Sequence, residues 1–418
     1  MNLSKNCRPY IFGSIIALFV CSNLLLSCGQ GDDECSPGIL NTEPTVQLLD
    51  VIQILIDHNP DYEQYVAMKD SVSRDQWERT LDSLIQINMA NPEIVAGIEM
   101  LVSTEAYQLY YRQFRNMDSE KHRRMLCALP YSSIQSPADI SRNLFDLSSN
   151  LDSVRHWVES IVSRIDLQQS HSIALKWLPE GEYNIPSVHL IFDGNGDAFA
   201  REGQVVFDLF GVLLSQRPYD TRFSNLTAIG TQEIEEVLAH EFHHVYARPF
   251  LGQPISAVFD DWRDQWRSRL IRRMVSEGIA MHCNPPREVS RAIKEDTAIV
   301  AYWIRSLNEK LGKLRTNTVT EEQLQNWLSD TYHNEAQQLL REYLHREYRD
   351  YGLRRMLTKL GADRPSLVYT LGWWMVSRIG EHGTKPEELT ALLADPYALF
   401  ARYNEVMGDA PDSLLVRD

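Results

Sequence analysis

The residues with the clearest capacity for chemistry are His240, Glu241 and His244, which form the pattern His-Glu-x-x-His. They lie in an apolar repeat of helical period with several acids near its start, as a helix dipole favours. Because an α-helix turns about 100° per residue, His240 and His244 differ by only about 40° around its axis, and both imidazoles can reach one ion. Glu241 lies on the same side, close enough to hold a metal-bound water without ligating the metal. His243 points about 100° away from His244 and is interpreted as a structural or supporting residue.

A zinc ion held by these histidines would suit hydrolysis. Zinc lowers the pKa of a bound water toward about 7, and Glu241 could take the water's proton and pass it to a leaving group. A catalytic zinc needs a third protein ligand and one open position. The metzincin class requires glycine three residues and histidine six residues after the pattern, but Ala247 and Phe250 occupy these positions. The metzincin arrangement is therefore excluded, and a glutamate on a following helix becomes the candidate.

The next predicted helix, over about residues 262–282, contains such a glutamate. Its apolar stripe comprises Trp266, Leu270, Met274 and Met281. Glu277 falls within that stripe, and a carboxylate that faces a core needs a cation partner because unpaired burial is costly. Gly278 follows directly and lowers helix stability, which predicts that another element packs closely there. Glu277 is therefore the predicted third ligand.

Alternatives to this ligand role stay open at the level of sequence. Glu277 could instead form an ion pair with Arg248 or Arg273. If Glu277 is not the ligand, His282 or an aspartate such as Asp261 becomes the candidate, although His282 lies off the apolar stripe.

His-Glu-x-x-His followed by Glu-Gly-x-Ala at residues 277–280 resembles the gluzincin peptidases, which are thermolysin-like in general plan. It resembles more closely the little-characterised zinc-dependent peptidases found among bacterial lipoproteins. The resemblance covers roughly residues 170–385 and implies one zinc ion held by His240, His244 and Glu277, with Glu241 as general base. The gap between His244 and Glu277 is longer than in thermolysin. Met281 also stands where an aspartate would follow the third ligand, so support for the zinc histidines is unassigned.

The hydrophobic periods of the segments that must position these residues predict an α+β, mainly helical fold. Residues 45–168 have helical spacing, and the period changes to two over residues 173–177, 188–192 and 205–209. Helical spacing returns from about Thr231 and continues to the end. The sequence thus predicts a helical N-terminal region and a zincin-like catalytic region over residues 169–418, with about three short strands before the metal helix. In such folds an edge strand pairs with an extended peptide substrate.

The N-terminus predicts export and lipid attachment. Residues 1–27 combine basic Lys5 and Arg8 with an apolar run, and Cys28 follows in Leu-Leu-Ser-Cys, which resembles the lipobox of a bacterial lipoprotein signal. The resemblance implies cleavage before Cys28 and acylation of this residue, so that only its lipid contacts the membrane. An uncleaved membrane anchor is the alternative. Residues 28–44 are an acidic tether, and the expected location is the outer membrane of a Gram-negative bacterium. The acidic run either signals exposure at the cell surface or is a solvated tether.

Charge and cysteine content exclude other classes. A formal net charge of −16 argues against a nucleic-acid partner and against docking onto anionic lipid. Once the signal is removed and Cys28 is acylated, Cys35, Cys127 and Cys283 remain, without metal-type spacing. A single disulfide among them stays open.

Tyr369 is a further candidate catalytic residue. It begins an aromatic helical segment beyond the metal site, where its hydroxyl could stabilise a developing oxyanion; aromatic core packing is the alternative. The sequence therefore predicts a metallopeptidase that acts on peptides or proteins. Two other interpretations remain: a non-enzymatic surface lipoprotein that binds glycans or peptides, and a zinc hydrolase of another amide or ester bond.

Overall fold

The fold was analysed in a computed structural model of the 418-residue chain. The residues that the structure describes are 38–59, 73–114, 117–129, 147–148, 150–193, 198–216, 223, 226, 229–251, 259–284, 297–324, 367–381, 386–408, 410–411 and 415–417. The predicted signal segment, the predicted acylation site Cys28, and Cys35 lie outside them. Cys127 and Cys283 are both buried free thiols, and burial raises the pKa of each.

One small mixed sheet lies at the centre of this mainly helical chain. Its strands are β1 (Leu40–Asn41), β2 (Val188–Ile191), β3 (Ala198–Arg201) and β4 (Gln204–Asp208), in the spatial order β1-β2-β4-β3. Strand β2 is parallel to both β1 and β4, whereas β3 is antiparallel to β4. Strand β3 is therefore an outer strand of the sheet.

Helices surround the sheet and continue to the C-terminus. In chain order they are α1 (Glu43–His58), α2 (Arg74–Ala90), α3 (Pro92–Ser103), α4 (Glu105–Gln113), α5 (Ser119–Cys127), α6 (Leu151–Val162), α7 (Leu167–Leu175), α8 (Phe210–Gln216), α9 (Gln232–Ala247), α10 (Trp262–Ala280), α11 (Ala298–Arg315), α12 (Gly372–Glu381), α13 (Pro386–Ala394) and α14 (Leu399–Met407). A π-helical turn, Leu367–Leu371, directly precedes α12. Within the described residues, no helix has both the length and the apolar character required to cross a bilayer.

Helices of the N-terminal region are hydrogen-bonded to the sheet and pack against it. In α1, the Thr45 hydroxyl donates a 2.7 Å hydrogen bond to the Leu190 carbonyl of β2. In α4, the Tyr107 hydroxyl donates to the carbonyl of Phe192, just beyond β2. Both side chains are completely buried, and one apolar core extends from α1 through the sheet to α14. The helices between β1 and β2 therefore share the core that supports the later helices.

The strand predicted over residues 173–177 is wrong, because these residues form the end of α7 and the turn after it. The Asp166 side chain caps α7 by accepting hydrogen bonds from the backbone N–H groups of two following residues. The buried positions are Ser170, Ala174 and Leu178, spaced four apart as a helix requires. The small side chains of Ser170 and Ala174 hid this period, while the alternating large residues suggested a strand.

Strands occupy the other two predicted segments, but the sequence missed β1 and β3. Strand β1 has only two residues, too few to show a period. Strands β3 and β4 form a hairpin through Glu202 and Gly203, whose φ angles are 53° and 78°. Two consecutive positive φ angles match the two-residue hairpin turn that follows the right-handed twist of strands. This turn brings β3 to the outer edge of the sheet beside α9.

Candidate metal centre

Helix α9 carries the His-Glu-x-x-His pattern into the interior. It begins at Gln232, with Glu233 and Glu235 in its first turn, and packs against α7, β3 and β4. His240 and Glu241 are each 8% exposed, although their side chains are polar or charged. Burial of such groups is costly unless they pair with one another or with an ion. Their burial therefore makes this part of α9 the candidate functional site.

Helix α10 supplies the carboxylate that faces these histidines. Asp261 caps its start by accepting a 2.8 Å hydrogen bond from the Arg263 backbone N–H. Glu277 lies 16 residues later, about 24 Å along the helix axis, and is only 6% exposed. Its charged partners are His240 and His244, so the alternative pairing with Arg248 or Arg273 is not found in the described structure.

The three predicted ligands meet at one point. His240 Nε2 and His244 Nε2 are 3.0 Å apart. Glu277 Oε2 lies 3.5 Å from the first of these nitrogens and 3.2 Å from the second. Ligand atoms placed about 2.1 Å from a tetrahedral zinc ion are separated by about 3.4 Å. The observed distances are close to this separation, so the three atoms could occupy three corners of a zinc tetrahedron.

The hydrogen bonding of Glu277 also fits a metal ligand. Its Oε2 atom is buried and makes no regular hydrogen bond in the described structure, although two imidazoles lie beside it. Buried carboxylate oxygens are rarely left in this state. Two imidazole nitrogens and a carboxylate are also the donor set of catalytic zinc sites with two histidines and one glutamate. The residues present therefore fit a zinc ion.

Electrostatics keep the carboxylate ionised. Burial alone would raise the pKa of Glu277, but the adjacent imidazoles hold that pKa well below its usual value. Burial would likewise lower the pKa of His244, but the Glu277 carboxylate raises it to about 9. Glu277 is therefore ionised, and paired with the imidazoles, at the point where a cation would bind.

Glu241 has a different environment, although it is adjacent to His240 in sequence. Burial raises the pKa of Glu241, and the neighbouring imidazoles oppose that shift. The backbone N–H of Ala200 in β3 is close enough to this carboxylate to oppose the rise in its pKa as well. Glu241 does not belong to the three-residue group that could hold the ion. Glu241 thus lies between the ligands and the outer strand, where a basic carboxylate could reach a water and a substrate.

Two neighbouring contacts were not predicted. Ser276 Oγ lies 3.1 Å from His244 Nδ1, the ring nitrogen on the side away from the other ligands. His243 is completely buried, and its Nε2–H donates a 3.3 Å hydrogen bond to the Trp177 carbonyl, which ties α9 to the turn after α7. Sequence spacing predicted that His243 points about 100° away from His244. Nothing in the spacing indicated that Ser276 faces His244, because the two residues lie on different helices.

The other candidate residues lie elsewhere. His282 stacks on Trp177, with ring centroids 4.5 Å apart, and is not part of the described three-residue group. Asp261 binds the side chain of Arg263 at the opposite end of α10. Tyr369 is partly buried in the π-helical turn, which packs against α10. Its catalytic role stays a prediction.

Comparison with known families gives an assignment that agrees with this donor set. The profile of the family described as "Putative zinc dependent peptidase (DUF5700)" matches residues 98–410. The chain belongs to this family. The match starts within α3, so the family region includes helices before β2 that the sequence resemblance left out. No curated protein and no solved structure shows a significant match to the chain.

Proposed function

We propose that the protein is a peptidase with one zinc ion, arranged as in gluzincins. The decisive observation is the meeting of His240 Nε2, His244 Nε2 and Glu277 Oε2 at the mutual distances of tetrahedral zinc ligands. Three protein ligands leave a fourth position open, which is the arrangement of catalytic rather than structural zinc sites. A zinc ion bound there would supply Lewis acidity toward water and toward a substrate carbonyl.

Glu241 supplies the acid–base chemistry in this proposal. Its carboxylate accepts a proton from the attacking water and then donates this proton to the nitrogen of the departing amine. Burial supports this role, because a raised pKa brings the carboxylate closer to the pH at which it must both gain and lose a proton. His240, His244 and Glu277 hold the ion and take no part in this proton transfer.

The outer edge of β3 offers a place for the substrate backbone. Arg201 pairs with Gln204 across the two-residue turn, so the N–H and C=O groups of Arg201 and Phe199 point toward β4. The same groups of Ala198 and Ala200 therefore point outward, and the Ala200 N–H reaches Glu241. An extended peptide paired with this edge would pass directly by the proposed base. This geometry supports a peptide or protein substrate over the glycan-binding alternative.

The test is zinc analysis of the purified protein without its signal segment, followed by digestion of a peptide library. We expect about one zinc per chain and peptide cleavage that stops when a chelator removes the metal and returns when zinc is added. Zinc binding without peptide cleavage, but with hydrolysis of another amide or an ester, would favour the other class of zinc hydrolase. A protein that binds no zinc at neutral pH would contradict the proposal.

We also propose that the protein is an outer-membrane lipoprotein held by lipid on Cys28. The support is the sequence alone: a basic and apolar segment followed by Leu-Leu-Ser-Cys. Replacement of Cys28 by Ala should stop labelling by a fatty-acid probe and release the protein into the soluble fraction. Unchanged membrane association of this variant would contradict lipid anchoring and favour an uncleaved anchor.

A further inference from the structure

We infer that Ser276 is a positioning residue that holds His244 in the orientation and tautomer required for metal binding. The inference rests on the proposed zinc site and adds a residue outside the His-Glu-x-x-His pattern and Glu277. It starts from one contact, the 3.1 Å separation between Ser276 Oγ and His244 Nδ1.

Histidine can bind a metal through one ring nitrogen only if the proton resides on the other. His244 Nε2 faces His240 and Glu277, so Nε2 is the nitrogen that must present a lone pair. The proton then belongs on Nδ1, and the Ser276 oxygen is placed to accept it in a hydrogen bond. Such a contact selects the tautomer and limits rotation of the ring.

A hydroxyl group is an unusual choice for this task. Metal-binding histidines commonly donate to a carboxylate, a backbone carbonyl or water. The position four residues after Glu277, where an aspartate would be expected, is occupied by Met281. A neutral hydroxyl is a weaker acceptor than a carboxylate and makes the imidazole less electron-rich. The zinc ion should therefore be held less tightly and remain a stronger Lewis acid than with a carboxylate at this place.

The location of Ser276 couples two ligands through one helix. Ser276 and Glu277 are consecutive in α10, so the same helical turn provides one ligand and the support for another. His244 is on α9, and the Ser276–His244 contact thus joins the two helices at the ion itself. A small shift of α10 would displace Glu277 and release the His244 ring together.

The experiment compares Ser276→Ala with Ser276→Thr and with Ser268→Ala as the matched control. Ser268 is a second serine of α10, 1% exposed, whose hydroxyl is hydrogen-bonded to Tyr397 rather than to a site residue. Zinc affinity is measured by competition with a chelator of known affinity, and the melting temperature is measured without metal. The cobalt-substituted proteins are compared by visible absorption, which reports ligand geometry.

We expect Ser276→Ala to bind zinc about 10- to 100-fold more weakly, with a changed cobalt spectrum and little change in the melting of the metal-free protein. Ser276→Thr keeps the hydroxyl and should stay close to the parent. Ser268→Ala should have a lower melting temperature than the parent but the same zinc affinity and cobalt spectrum.

Unchanged zinc affinity in Ser276→Ala would overturn the inference, and the proposed zinc peptidase would stand. Equal losses in Ser276→Ala and Ser276→Thr, or an equal loss in Ser268→Ala, would also overturn it, because the effect would then be one of packing. If the parent binds zinc with the expected Ser276 effect but cleaves no peptide, the inference is supported and the peptidase proposal fails. If the parent binds no zinc, both fail.

Discussion

Gly278 and Gly372 bring the backbones of two helices together one residue away from Glu277. A Cβ atom added at Gly278 would lie 2.6 Å from the carbonyl oxygen of Gly372. A Cβ atom added at Gly372 would lie 2.5 Å from the carbonyl oxygen of Met274, one turn earlier in α10. Both obstacles are backbone atoms, which cannot rotate away. The two glycines therefore set the separation of α10 and α12, and with it the position of the carboxylate.

The first prediction concerns this contact. Alanine is favoured over glycine in a helix by about 1 kcal/mol, but Gly278→Ala must push the helices apart at an overpacking cost of about 1–3 kcal/mol. We expect Gly278→Ala to lower the free energy of unfolding and to weaken zinc binding, as measured by denaturation and chelator competition. Gly312→Ala is the control, because Gly312 lies in α11 with open space around its Cβ position. An increase in stability in both variants would contradict the close contact.

The role proposed for Glu241 predicts a variant that still binds zinc but no longer hydrolyses peptides. Glu241→Gln retains the size and helix preference of the side chain but cannot accept a proton from water at neutral pH. It should bind about one zinc per chain, melt like the parent and hydrolyse peptides on the order of 10³-fold more slowly or worse. Zinc content, melting temperature and single-turnover cleavage test this. Normal cleavage by Glu241→Gln would assign the base elsewhere.

The role proposed for Glu277 as third ligand predicts that its removal weakens zinc binding, in contrast to Glu241→Gln. Glu277→Ala removes a carboxylate and leaves two imidazoles to hold the ion, so zinc affinity and the stabilisation that zinc gives to the folded protein should decline together. The measurements are zinc affinity and the difference in melting temperature with and without zinc. Normal zinc binding by Glu277→Ala would contradict the role of Glu277 as the third ligand.

Tyr369 is tested through its hydroxyl alone. It lies in the π-helical turn that ends at Leu371, just before Gly372, and π-helical turns often occur at functional sites. If its hydroxyl stabilises the oxyanion, Tyr369→Phe should lose about 10²-fold in kcat and keep zinc affinity and stability. Steady-state kinetics with a cleaved peptide provide the measurement. Unchanged turnover would make Tyr369 a packing residue and place the oxyanion donor elsewhere.

The last prediction concerns His122, which lies away from the metal site, and the dependence of protein stability on pH. Its side chain is buried between α4 and α5, its Nδ1 lies 2.7 Å from the Tyr111 hydroxyl, and burial lowers its pKa from 6.5 to about 4. Between these two values the unfolded chain binds a proton that the folded chain does not. Stability should therefore decrease as the pH falls from about 6.5 to about 4, by at most about 3 kcal/mol from this residue.

The measurement is the free energy of unfolding of the metal-free protein between pH 7 and pH 4, for the parent and for His122→Gln. The glutamine variant does not gain this proton, so its stability should decline less steeply over that range. Identical slopes in the two proteins would contradict a neutral, buried His122.

The spacing of residues in the sequence was sufficient to predict candidate site residues that lie within one helix. The angular separation of His240 and His244 follows from helix geometry, so the sequence alone predicted that both could face one ion. Glu277 could also be selected locally, because a carboxylate within the apolar stripe of a helix needs a partner. Gly278 likewise predicted a close approach, and the structure confirms it.

The spacing of residues predicted secondary structure wrongly, or missed it, where contacts with other elements determine it. Over residues 173–177, alternation of large side chains predicted a strand, but Ser170, Ala174 and Leu178 meet the core at helical spacing and make this segment part of α7 and its following turn. Strand β1 is too short to carry a pattern and exists because β2 offers it a parallel partner.

What the sequence determined by itself is the set of groups available for chemistry, because residue type and helical phase are properties of a local segment. The tertiary structure alone decided which groups meet. The hydrogen bond between Ser276 and His244, the contact of Gly278 with Gly372, and the Ala200 N–H on Glu241 each join two separate elements. Their existence depends on how whole helices and strands pack, and a periodic pattern within one element contains no information about the partner's register or distance.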